Sequence, residues 1–149
     1  MAKSTSTAVS PAPSAGPHSG TTAPPDLEDA LSALRRGNVL AALCPSRQVL
    51  NDVTSRWGVL VLLVLMGGTH RFSELRRRIG GVSEKMLAQT LQALERDGFV
   101  ARVSFPVVPP HVEYSLTELG TQVGTRVNEL VGWIEGNLPA IMAAREDRR

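Results

Sequence analysis

Val82-Ser-Glu-Lys-Met-Leu-Ala-Gln-Thr-Leu-Gln-Ala-Leu-Glu-Arg96 is the stretch whose reading decides the fold. Leu87, Leu91 and Leu94 recur at i, i+4 and i+7, the spacing of a helix with one buried stripe. Lys85, Gln89, Gln92 and Arg96 recur at i, i+4, i+7 and i+11 and fall within roughly 60° of one another, on the opposite side. Ser83 is suited to cap the helix start, with Val82 as a hydrophobic staple, and Asp97-Gly98 supplies its stop. Gln, Lys and Arg are side chains that reach base edges and phosphates. An outer face of this kind also suits a helix that is merely solvated, so its flanks decide between the two.

Upstream, Thr69–Phe72 reads as a short extended piece and Ser73–Ile79 as a short helix with Phe72, Leu75 and Ile79 inward. Arg76, Arg77 and Arg78 then point outward, and Gly80-Gly81 turns the chain into the next helix. A short helix, a glycine turn and an amphipathic second helix form the helix-turn-helix pattern. Downstream, Phe99–Phe105 and His111–Leu116 read as strands joined by the stiff Pro106-Val-Val-Pro-Pro110 link. Two antiparallel strands after a helix-turn-helix make a winged helix, with Arg102 and His111 as the polar residues near the wing. The expected fold is therefore mainly α with a small β-hairpin.

Charge supports the same placement. The chain of 149 residues carries only +2 overall. Between Arg71 and Arg102, however, seven Lys/Arg face four acids, a larger excess than that of the whole chain. One cysteine excludes an internal disulfide framework and a multi-cysteine metal site. His18, His70 and His111 lack metal-ligand spacing, and neither a phosphate loop nor a carboxylate pair stands out, so an enzyme is not expected and no cofactor is implied. The longest apolar run, Val59–Met66, is too short to span a bilayer, and the N-terminus lacks a signal-peptide core. No membrane association and a cytoplasmic location are the resulting expectations.

Four regions follow along the chain. Residues 1–25 form a low-complexity tail, 21 of them Ser, Thr, Pro, Ala or Gly, and disorder is expected there. Residues 26–43 read as a helical extension on Leu27, Leu31 and Leu34, residues 44–143 as the winged-helix domain and residues 144–149 as a charged tail. Cys44-Pro45 opens the domain with the thiol at a helix N-cap and Arg47 one turn on, both of which favour thiolate. Cys44 is thus a candidate redox or electrophile sensor, or simply a small residue that packs. Trp57–Met66 reads as the central buried helix, with a buried strand the alternative that periodicity leaves open.

From Thr117, a candidate N-cap beside the Ser115–Glu118 capping-box alternative, one long helix is expected, kinked or ended by Pro139 near its C-terminus. Val123, Val127, Leu130, Ile134, Leu138 and Ile141 lie on a narrow apolar seam, which implies a homodimer interface or packing on the chain's own leucines.

These motifs, from Cys44-Pro45 through Arg71–Ile79, Val82–Glu95 and Pro106–Gly120, resemble those of the HxlR-type transcriptional regulators, over residues 40–140. The resemblance implies a dimeric winged-helix protein of MarR-like architecture that binds double-stranded DNA, in which the Ser83–Arg96 helix enters the major groove and the proline-rich hairpin is the wing. It also implies, in some members, a response to an electrophile or oxidant through the Cys44 position. The site expected is then Ser83, Lys85, Gln89 and Gln92 on bases, with Arg71, Arg76, Arg77, Arg78, Arg96, Arg102 and His111 on phosphates or at the wing. His111 stands where the family often carries Arg, and Gly58 where it often carries Thr. The competing reading is a protein-interaction module whose long seam recruits another protein.

Overall fold

The computed structural model describes Leu31, Ser32, Arg35 and residues 37–149. The expected tail over 1–25 lies outside the described residues, as do Leu27 and Leu34 of the helical extension. Leu31, Ser32 and Arg35 are helical, and turns over 39–43 lead into the domain.

Six helices and three strands follow. Helix α1 (Pro45–Thr54) starts at Cys44 as N-cap with proline in its first turn, as the Cys-Pro pair predicts. Ser55 both ends α1 and caps α2 (Arg56–Met66), its hydroxyl accepting from the Gly58 amide at 3.1 Å. The two helices meet at a 69° bend. Gly58 makes that bend possible, because a Cβ there would run into the Asp52 carbonyl and lie 2.6 Å from Ser55 Oγ. A threonine at this position would have to move α1 away from α2.

Helix α2 is the centre of the molecule. Val61, Leu62 and Leu65 are buried on it, and it packs against the helices over Glu84–Arg96 and Glu118–Gly136. Strand β1 (His70–Arg71) follows, then α3 (Phe72–Arg78) and α4 (Glu84–Arg96). Leu87, Leu91 and Leu94 are fully enclosed, each contributing roughly 1.5–3 kcal/mol by burial. Ser83 Oγ accepts from the Met86 amide at 3.1 Å, Val82 is buried beside it, and Gly98 takes φ +81° after the helix.

Strands β2 (Val100–Phe105) and β3 (His111–Leu116) form the expected hairpin, in register from Val100 opposite Leu116 to Phe105 opposite His111. The extended piece before α3 does more than connect. It pairs with β3, His70 opposite Tyr114, so the sheet has three strands in the order β1-β3-β2. This ties the start of α3 to the wing.

Thr117 caps α5 (Glu118–Gly136), accepting from the Gly120 amide at 3.0 Å and donating to the Gly98 carbonyl at 2.6 Å. The single long helix expected from Thr117 is interrupted. Asn137 separates α5 from α6 (Leu138–Glu146), its side-chain amide donating to the Trp133 carbonyl at 2.8 Å. Pro139 then lies in the first turn of α6, where its missing N–H is harmless. Arg145 and Glu146, expected in a charged tail, belong to α6. Among the described residues, no single helix is long and apolar enough to cross a membrane.

Candidate nucleic-acid interface

Three features make up the candidate face. The first is the outer face of α4, where Ser83, Lys85, Gln89, Gln92 and Arg96 are all exposed, opposite the enclosed leucines. The second is α3, whose Arg76, Arg77 and Arg78 are exposed while Leu75 is fully buried. The third is the β2–β3 hairpin. Gly81, at φ +87°, lets the chain turn between the helices in a conformation that side chains resist.

The arginines are not equivalent. Arg76 Nη1 donates to Glu84 Oε1 at 2.8 Å, joining α3 to the first residue of α4. Arg77 and Arg78 carry no ion pair among the described residues. Arg96 is turned towards α1, with Nη2 3.3 Å from Asp52 Oδ2, so the phosphate role expected of it falls on a side chain already engaged in the fold. Gln48 donates to the other Asp52 oxygen at 3.1 Å. Asp97 completes this cluster. Burial, then its hydrogen bond and repulsion with Asp52, raises the Asp97 carboxyl above its ordinary range, and Arg96 partly offsets the rise. Its Oδ2 is buried without a partner.

The wing also differs in detail from expectation. His111 stacks on Phe105 with ring centres 4.8 Å apart, and its Nε2 lies 3.4 Å from Glu113 Oε1. It is therefore held against the wing at the last strand pair before the tip. The tip presents Val107 and Val108 instead, the latter 99% exposed. Arg102 is exposed on β2 and bonds Ser104 at 3.2 Å, and Arg71 is exposed on β1 opposite Glu113. Glu84 is the residue of this face that sequence reasoning missed. Its signal was available, since it is the acid at the start of the amphipathic helix, eight positions from Arg76.

Cys44 is only 5% exposed. Its Sγ lies 2.9 Å from Ser46 Oγ, and this contact lowers the thiol from its ordinary value, with backbone amides adding to the effect and burial opposing it. Arg47 acts here through its backbone.

The terminal seam is divided. Val127 is buried and Val123 half-buried, both packed into the chain's own core, so neither is left for a partner. Gly120 and Gly124 let α5 come close. A Cβ on Gly120 would strike the Phe99 carbonyl, and one on Gly124 would lie 2.8 Å from Met66 Sδ. Past that point Leu130, Trp133, Ile134 and Leu138 are exposed, and Ile141 is half-buried.

The HxlR-like helix-turn-helix family model matches residues 52–142. The HTH-type transcriptional regulator YtfH of Escherichia coli (strain K12) is 66% identical over 115 residues, which cover 77% of this chain and 91% of that protein. The solved structure of the transcriptional regulator YtfH from Salmonella typhimurium has 69% identity and a TM-score of 0.71, covering 74% of this chain and 98% of that one. The redox regulator HypR in its reduced form has 33% identity and a TM-score of 0.61, covering 66% and 98%. These relatives are regulators and not enzymes. A groove-sized helix with a polar outer face, an arginine-bearing helix before it and a β-wing after it thus meet a matching family, and the chain belongs to the HxlR-like helix-turn-helix transcriptional regulators.

Proposed function

We propose that the protein binds a pseudo-palindromic operator as a homodimer and acts as a repressor that oxidant or electrophile releases through Cys44. The observation that carries the DNA reading is the exposed Lys85, Gln89 and Gln92 face of α4, flanked by free arginines on α3. Ser83, Lys85, Gln89 and Gln92 approach base edges, with glutamine suited to adenine and lysine to guanine. Arg71, Arg77, Arg78 and Arg102 hold phosphates and fix the register. The wing lies along the flanking backbone.

The dimer reading is supported by the apolar surface on the terminal helices, where Trp133 is 61% exposed. Two-fold symmetric readers place their groove helices on half-sites about one turn apart.

The thiol reading rests on the Ser46 contact, which favours thiolate at an N-cap, and on the printed description of HypR, a redox regulator solved in reduced and oxidized forms. With one cysteine per chain, the Cys44 thiolate attacks a peroxide oxygen, the O–O bond breaks and hydroxide leaves, giving sulfenic acid. A second thiol then attacks that sulfur and expels water to form a mixed or intersubunit disulfide.

The test is selection of bound sequences from a random duplex pool, with and without diamide, for the wild type and Cys44→Ser. The expected result is an inverted repeat with half-sites about one helical turn apart, released by diamide in the wild type only. Failure to enrich any sequence would refute operator binding, and equal release in both proteins would refute the thiol switch.

A further inference from the structure

Between α3 and α4 lies a recess of about 370 Å³ lined by Phe72, Ser73, Arg76, Arg77 and Glu84. It opens on the face that meets DNA, yet one of its two guanidinium groups is already neutralised. Glu84 is the first residue of α4, and its Oε1 sits 2.8 Å from Arg76 Nη1 across the Gly80-Gly81 turn. Both side chains are open to solvent, at 49% and 70% exposure. An exposed pair of this type is only weakly stabilising, whereas a guanidinium on a phosphate makes a stronger, two-pronged contact. The pair is therefore weak enough for DNA to displace.

We propose that Glu84 is an internal stand-in for a backbone phosphate: its carboxylate occupies Arg76 in the free protein and yields it to the DNA. This assignment rests on the α3–α4 face being the DNA interface. The exchange has a distinctive ionic balance. The phosphate sheds a condensed cation as Arg76 arrives, but the freed Glu84 carboxylate attracts one in return. Arg76 then contributes almost nothing to the salt dependence of binding, while Arg77 contributes one full contact. Glu84 thereby restrains adhesion to DNA of any sequence, because only a well-seated α4 makes the exchange worthwhile.

The test is the dependence of affinity on salt, measured with a random-sequence duplex by fluorescence anisotropy. Glu84→Gln should steepen the slope of log K against log salt by about 0.9, one contact's worth, and tighten binding at low salt by several-fold. In the Arg76→Ala background, the same substitution should lose most of that effect. Arg77→Ala should flatten the slope by about 0.9 with Glu84 intact. Ser83 still caps α4 in Glu84→Gln, and circular dichroism checks that the fold is kept. An unchanged slope in Glu84→Gln beside a flattened one in Arg77→Ala overturns the stand-in role alone. Equal steepening with and without Arg76 reduces Glu84 to general repulsion and also overturns it. If Arg77→Ala leaves the slope unchanged too, the interface itself is misplaced and the proposal falls with it.

Discussion

At the scale of single residues, Asp97 is where the fold is least at ease. It caps the end of α4 with one carboxylate oxygen buried and unpartnered, beside Asp52 on α1. Burial and the Asp52 carboxylate raise its pKa, so the folded chain holds the proton more tightly than the unfolded chain does. Charged Asp97 therefore opposes folding at neutral pH. That opposition is relieved as pH falls through the raised folded value, and nothing further changes below the unfolded value near 3.8. Asp97→Asn replaces a repelling oxygen with an amide that can donate to Asp52. It should stabilise the protein at pH 7 by about 1 kcal/mol, the net worth of one hydrogen bond. The advantage should shrink as the pH approaches 4. Urea unfolding at pH 7 and 4.5 reads this directly, and a variant that is less stable, or whose advantage ignores pH, would contradict the account.

At the scale of elements, what could be read in the sequence was whatever one local pattern determines. The leucine spacing placed α4, the Ser83 and Thr117 caps placed two helix starts, and alternation with prolines placed the hairpin. Strand β1 was less visible, since two residues carry no period and owe their strand character to Tyr114 and Glu113 across the sheet. The break at Asn137 was hidden by an apolar spacing that runs through it. The candidate site divides similarly. Which face of α4 is polar follows from periodicity, but the partners of Arg76 and Arg96 lie eight and 44 positions away and depend on packing. So does the need for Gly120, whose close approach brings α5 against Phe99 and holds the wing's root to the domain. Gly120→Ala should destabilise the protein by about 1–3 kcal/mol, the usual range for overpacking, although alanine is the better helix former. Thermal unfolding measures this, and Gly132→Ala serves as the comparison, since a Cβ there meets nothing within 4 Å. Equal effects at the two sites would mean that α5 does not pack on Phe99 as described.

At the scale of the whole molecule, the terminal seam is shared between the core and the exposed apolar surface. The core is closed around α2 by α4, α5 and the sheet, and it uses the early part of the terminal seam, Val123 and Val127. The later part, Leu130, Trp133, Ile134, Leu138 and Met142, stays on the surface, and so do Leu40, Leu43 and Leu50 before and within α1. A single chain leaves both groups wet, and under the proposed function a second copy covers the later seam as it reads a two-fold operator. Ile134 separates these roles well, because at 41% exposure it contributes little to the chain's own core. Ile134→Asp should leave far-UV circular dichroism and thermal unfolding of the monomer nearly intact. Burying its charge in the interface should cost several kcal/mol and weaken self-association by more than about 100-fold. Operator affinity should fall in parallel, since each half-site is then held alone, while weak binding to random duplex changes little. Sedimentation equilibrium gives the assembly state and gel shift gives the affinity. A variant that stays dimeric would move the interface off α5 and α6, and a monomer that keeps full operator affinity would separate DNA reading from dimerisation altogether.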